Sequence, residues 1–406
     1  MGQFPTYFKT RTALFQTLLF TTLFVLMVSF RERELGNDSV DWQVALRLAF
    51  LGISMMISCF AYKAWLGRIL IRENFLLIPF FSLLFFSSLY APSMSYSAGC
   101  TFSLLSIFLL LFSCNSIIGE KKTISTIVIV CSLVSFLSLI VYIFFPDIGT
   151  AKIWQGDIQV PTSRLSGITG PNSAGFIAAS TILLISILKR RHEIDYPRLS
   201  FLFVILNLTV LILSESRTSG ISMIVALGCL FFFKLSPARL AVLFLGISAF
   251  LLLAISIDLN NLLVLLSRSG DASEITTGTG RLYIWKTSLD LISQHPFLGW
   301  GYGSTAFILP LYALEMGHTP PHCHNTLLQI VFSIGWIGGI VFIGLMIGKI
   351  YAILSNQSFD RLILFIFLTV AGLTEASAFG GLANIATIIY AVLFSMMTSQ
   401  NIANKP

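Results

Sequence analysis

An all-α, polytopic membrane protein is the fold class this sequence predicts, on three observations. The hydrophobic fraction is 56% against 11% charged residues, and mean hydropathy is +0.87. So few polar side chains cannot clothe a soluble surface of this length. Apolar runs of about 17 to 23 residues recur along the chain, each long enough to cross a hydrocarbon core of roughly 30 Å as a helix. In lipid such runs are helical, because every backbone N–H and C=O must find its partner within the segment.

Runs and breaks place spans near 13–30, 44–61, 74–90, 98–118, 123–145, 171–188, 199–214, 217–233, 238–256, 326–348, 361–377 and 382–398. The pattern is a single polytopic domain over 1–406 with about twelve transmembrane helices, and a large extracytoplasmic loop over 257–325 that carries short helices and covers a site. The first span follows Lys9 and Arg11, and no small-residue cleavage site precedes Arg31, Glu32 and Arg33, so it reads as a retained helix. Sixteen of the 25 Lys and Arg fall on one set of alternate short loops and eight on the other, which makes the richer set, with both termini, cytoplasmic. The formal charge of +7 is then an anchoring charge at helix ends, and no nucleic-acid partner is expected.

Cys59, Cys100, Cys114, Cys131 and Cys229 lie in or beside apolar runs without metal-ligand spacing and read as small buried hydrophobes. Only Cys323 sits in a polar stretch, and no disulfide is expected from it. The two halves of the chain share no loop pattern, which counts against a transporter built from two similar repeats.

Positive charges on the outer side oppose the orientation rule and need another reason. Arg164 stands in Ser163-Arg164-Leu165-Ser166-Gly167, shortly before Pro171 at the first turn of the sixth span; it suits a phosphate or an interfacial headgroup. Arg217 lies in the tight connection Ser214-Glu215-Ser216-Arg217-Thr218, where an arginine is paired or lines a wet cavity. Glu215 is its nearest acid in sequence. Arg281 follows Gly278-Thr279-Gly280 and opens a helix whose Leu282, Trp285, Leu289 and Ile292 share a face. A cation there opposes the helix dipole, but a guanidinium beside free backbone N–H groups, including that of Gly280, makes an anion site.

His318, His322, Cys323 and His324 suggest zinc by composition, but their spacing matches no common zinc pattern, and no metal is expected. His324 is suited to take a proton from a hydroxyl. Asn325 is the N-cap of the following span, a functional partner of His324, or both. Glu375, an acid within an apolar run, pairs with an arginine or steers the histidine.

These residues, with Thr279-Gly280-Arg281 through Trp285, His295-Pro296-Phe297-Leu298-Gly299-Trp300-Gly301-Tyr302-Gly303, His324-Asn325 and Gly335-Trp336-Ile337-Gly338, resemble the signature of the O-antigen ligase and polysaccharide polymerase superfamily. The resemblance runs from about residue 160 to 400, with Arg164 and Arg217 in the matching order. It departs at Ser333, where many relatives carry an acid. It implies a bacterial inner-membrane glycosyltransferase, similar to membrane-embedded class C enzymes, that works at the periplasmic face without metal or other cofactor. The donor would be a glycan on undecaprenyl diphosphate, and the acceptor either a growing polysaccharide or lipid A core. In that frame Arg217 and Arg281 hold the diphosphate, Arg164 supports them, and His324 is the base of an inverting displacement. Gly280, Asn325 and Glu375 would complete the substrate site. The opening Thr279-Gly280-Arg281 and the glycine run favour an exopolysaccharide polymerase over a lipid A core ligase. A transporter of the lipid-linked glycan is the competing class, and it would place its ionisable residues near the midplane.

Overall fold

A computed structural model describes residues 4–29, 36–155, 158–232, 281–316, 319–375 and 377–396 of the chain. The expected span at 238–256, Gly280 and the first part of the expected covering loop lie outside them.

The described residues form a helical bundle: α1 (Phe4–Met27), α2 (Trp42–Phe60), α3 (Tyr62–Ile69), α4 (Leu77–Ser87), α5 (Met94–Ile117), α6 (Glu120–Phe144), α7 (Pro171–Arg190), α8 (Pro197–Leu213), α9 (Arg217–Phe232), α10 (Arg281–Gln294), α11 (Thr326–Ser355), α12 (Phe359–Gly372) and α13 (Ile385–Ser395). Five of them, α2, α5, α6, α7 and α11, are both long and apolar enough to cross a membrane; α4, α8 and α13 are apolar but shorter. This is a multi-pass membrane protein, and every expected span within the described residues falls on a helix.

The bundle is centred on α5 and α7, 78% of whose spanning windows are buried, against 28% for α2. Small residues explain the difference. Ser97, Cys100, Ser103, Ser106 and Ser113 on α5, and Ala174, Gly175, Ala178, Ala179 and Ser180 on α7, let neighbouring backbones approach closely. Asn207 of α8 ties that helix to α6, with Oδ1 accepting from Ser135 at 2.8 Å and Nδ2 donating to Ser132 at 3.2 Å.

At the end of α7 remote from Pro171, basic residues expected to sit among headgroups are partly drawn inside. Lys349 and Arg361 are fully buried. Arg361 donates to Glu73 at 2.6 Å, while Lys349 donates to Asn74 at 2.6 Å and lies 3.4 Å from Glu73. One carboxylate thus serves two buried cations. Glu73→Gln is expected to cost about 3 to 5 kcal/mol, because removing one partner strands the others in a low-dielectric interior. Thermal melting in detergent reads this as an earlier transition.

Three features depart from a plain helix count. Two short strands, β1 (Thr150–Gln155) and β2 (Ile158–Leu165), pair antiparallel, with Ile153 opposite Val160. α12 and α13 are shorter than the expected 361–377 and 382–398 because their connection folds inward, burying Ala378, Phe379 and Ala383. Side chains satisfy that irregular backbone: Thr387 donates to Ala378 O at 2.9 Å, Ser103 Oγ accepts from Ala383 N at 2.9 Å, and Tyr302 donates to Gly381 O at 3.2 Å. Glu375 therefore stands in this turn, past the end of α12, and not within a helix.

The third departure is a break in α11 at Ile334 and Gly335, where Gly335 takes φ 65°. The carbonyls it frees are taken up by the glycine run: Trp300 N donates to Phe332 O and Gly301 N to Ser333 O, both at 2.9 Å, while Trp336 N donates to Pro296 O at 2.8 Å. A Cβ on Gly335 would meet Phe297 O at 2.0 Å. The run Pro296 to Gly303 is thus a brace that fixes the first half of α11 and the loop entering it.

Candidate functional site

Four segments converge at the Pro171 end of α7. Arg164, at the end of β2, donates through Nε to Ser214 O at 3.2 Å and through Nη2 to Asn172 Oδ1 at 3.2 Å and Ser214 O at 3.1 Å. Its Nε lies 3.9 Å from Glu215, the carboxylate that sequence proximity assigns to Arg217. The arginine thereby clamps the α8–α9 turn, where Glu215 takes a left-handed φ of 50°. Arg217 opens α9 directly after this turn. The turn packs hard on α7: a Cβ on Gly175 would meet Ser216 Cβ at 2.3 Å.

Arg281 opens α10 as expected, but the buried face of that helix is Ile284, Thr287, Ser288, Leu291 and Ile292. Leu282 and Leu289, placed on the packed face by the sequence reading, are half exposed. The true face docks on Leu309, Cys323, Val331 and Phe332. In a membrane protein exposed leucines carry no solvent penalty when they face acyl chains, so apolar periodicity does not single out the packed side. Burial lowers the Arg281 pKa and the charge of Glu375 raises it; the guanidinium remains a cation. One turn along α10, the buried Nε1–H of Trp285 has no hydrogen-bond partner among the described residues.

The loop into α11 is held from below. Gln329 Oε1 accepts from Cys323 N at 3.0 Å, its Nε2 donates to Thr305 at 3.2 Å, and Thr305 donates to Pro321 O at 3.2 Å. Cys323 is a free, fully buried thiol whose pKa burial pushes up to about 12, so it is packing and not a nucleophile. Asn325 caps α11 through Leu328 N at 3.0 Å and donates to Leu373 O at 3.1 Å, tying the loop to the end of α12. His324, between them, takes φ 50°.

Glu375 settles beside both histidines. Its Oε1 lies 3.2 Å from His322 Nε2 and 3.7 Å from His324 Nδ1, and its charge also acts on Arg281. Steering a histidine and neutralising an arginine are therefore compatible roles. Burial lowers the His322 pKa, Glu375 opposes this, and Arg281 adds to it. The two imidazoles and the carboxylate offer three ligand atoms within 4.8 Å, a set that could hold an ion. Arg281, acting on both Glu375 and His322, opposes a second cation there.

A cavity of about 100 Å³ joins these parts, lined by Asn172, Ser173, Ser216, Thr218, Ser219, His322, Glu375 and Asn384 among others. Ser216 and Thr218 flank Arg217, so the α9 entrance and the histidine loop share one hydroxyl-rich space. A larger cavity of about 280 Å³ lies at the other end of α7, against Lys121, Tyr196 and Phe203, and holds none of these groups. His322 is the residue the sequence reading passed over. The spacing His322-Cys323-His324 carried the signal: the two rings share Glu375, while Cys323 between them is fully buried.

Residues 202–343 match the family model described as O-antigen ligase. The match spans Arg217, Arg281, His322, His324 and Asn325, with Arg164 and Glu375 on either side of it. No curated protein matches the chain.

Proposed function

We propose, from the premise that this is an O-antigen ligase-like membrane protein through residues 202–343, that it is a glycosyltransferase acting at the outer face of the bacterial inner membrane. It moves a glycan from undecaprenyl diphosphate to a growing polysaccharide chain. The observation that carries this reading is that Glu375 stands beside both His322 and His324, acts on Arg281, and with His322 lines a hydroxyl-rich cavity shared with the Ser216 and Thr218 neighbours of Arg217. A transporter would set such groups near the midplane.

The chemistry is a single displacement. His324 takes the proton of the acceptor hydroxyl, the oxygen attacks C1 of the donor sugar from the face opposite the diphosphate, and the C1–O bond breaks with inversion. The electron pair leaves with the undecaprenyl diphosphate, whose growing charge meets Arg217 and Arg281. Arg164 supports them by holding the α8–α9 turn. Asn325 frames the site, and Glu375 orients the base. No metal is required where fixed guanidinium charges serve the leaving group.

Arg217→Ala or Arg281→Ala is expected to lower turnover by about 10²- to 10³-fold, the usual cost of losing one fixed group at a developing anion. Release of undecaprenyl diphosphate by correctly inserted variants measures it, and wild-type rates contradict the assignment. The family description itself favours a second reading, transfer to lipid A core. A deletion strain separates the two: single capped repeats without long chains mark a polymerase, and polymer accumulating on undecaprenyl diphosphate marks a ligase.

A further inference from the structure

We propose that His322 is the positioning residue of this site, holding Glu375 in the orientation from which that carboxylate sets His324 as the base. The proposal rests on the glycosyl-transfer reading above.

The hydrogen bonds define the tautomer. The backbone N–H of His324 donates to His322 Nδ1 at 3.3 Å. A ring nitrogen that accepts carries no proton, so the neutral ring keeps its proton on Nε2. Nε2 lies 3.2 Å from Glu375 Oε1 and donates to it. Burial favours the neutral ring throughout.

With both nitrogens engaged, His322 has no lone pair to offer an acceptor hydroxyl, although it lines the cavity. It cannot be the base in this state. The same carboxylate oxygen stands 3.7 Å from His324 Nδ1. Catalytic contacts are often this long before substrate binds and tighten in the complex. Glu375 then holds the His324 proton on Nδ1, which makes Nε2 the basic nitrogen, and stabilises the imidazolium that forms as the acceptor proton arrives.

His322 thus grips both members of the pair, the carboxylate through Nε2 and the histidine backbone through Nδ1. Its ring also packs on the His324 ring, with centroids 4.2 Å apart. The latch accompanies the left-handed φ of His324.

The two functions of His322 can be separated by amide substitution. Asn can replace the Nδ1 acceptor, and Gln can replace the Nε2–H donor. The full-length protein in lipid nanodiscs would be given undecaprenyl diphosphate-linked glycan extracted from the source cells, and release of undecaprenyl diphosphate followed.

His322→Asn is expected to lose on the order of 10- to 100-fold in kcat, as loss of an orienting outer partner does, with donor KM and melting temperature held. His322→Gln is expected to recover most of that loss. In a Glu375→Gln background His322→Asn should cost almost nothing further, because the group it acts through is already gone.

Wild-type kcat in His322→Asn, a change confined to KM, or losses that multiply with Glu375→Gln overturn the proposal. Should His322→Asn melt early, a well-folded His322→Gln with kcat as low as His324→Ala overturns it equally. An active His324→Ala removes the base assignment and the transfer mechanism itself. An inactive His324→Ala beside a fully active His322→Asn removes only the role given to His322.

Discussion

His324→Ala is expected to lower turnover by about 10²- to 10⁴-fold, the range in which a positioned general base contributes. Arg217 and Arg281, proposed above to meet the diphosphate, are untouched, so donor binding should persist. The substitution also leaves the loop's other supports in place: Gln329 on Cys323 N, Thr305 on Pro321 O, and Asn325 at the head of α11. A fall in kcat with unchanged donor KM and unchanged melting temperature is the predicted outcome. A variant that still turns over at the wild-type rate would show that the acceptor proton goes elsewhere.

The second large effect is structural and originates away from the chemistry. Gly335→Val is expected to cost roughly 2 to 6 kcal/mol, adding about 1 to 3 for overpacking and about 1 to 3 for strain at a left-handed position. The new Cβ has nowhere to go, because Phe297 O would lie 2.0 Å away and is itself backbone. Relief requires the brace at Pro296 to Gly303 to separate from α11, which unpairs Phe332 O and Ser333 O. Because the first half of α11 carries the His324 loop, activity should fall with stability. Melting in detergent and turnover of the surviving folded fraction measure the two losses; a variant with wild-type melting contradicts the brace.

Much of this was legible in the sequence because membrane physics leaves few options. Uniform apolar runs marked the helices, and the arginines that the loop count set apart from the basic-rich side stood out because they opposed the charge rule. Arg164, Arg217, Arg281, His324, Asn325 and Glu375 were each visible as polar residues that the membrane pattern could not explain. What stayed hidden depended on tertiary partners. The packed face of α10 was misread through Leu282 and Leu289, since lipid and protein both accept leucine.

The inward fold of the α12–α13 connection was invisible because its backbone is satisfied by Ser103 and Tyr302, far away in sequence. Lys349 and Arg361 were counted among the basic residues that anchor helix ends, because nothing local announces that Glu73 neutralises them. The strand pair could have been found, as Gly156-Asp157 stands between alternating residues. His322 was overshadowed by its neighbour, since only the position of Glu375 distinguishes a ring that holds from a ring that reacts.

The most direct test of the central claim is a single-turnover assay of the purified full-length protein in lipid nanodiscs, with undecaprenyl diphosphate-linked glycan and excess chelator. Stoichiometric release of undecaprenyl diphosphate together with a lengthened or transferred glycan is expected, at a rate that collapses in Arg281→Ala. No release from the wild-type protein, or release that chelator abolishes and a divalent cation restores, would contradict it.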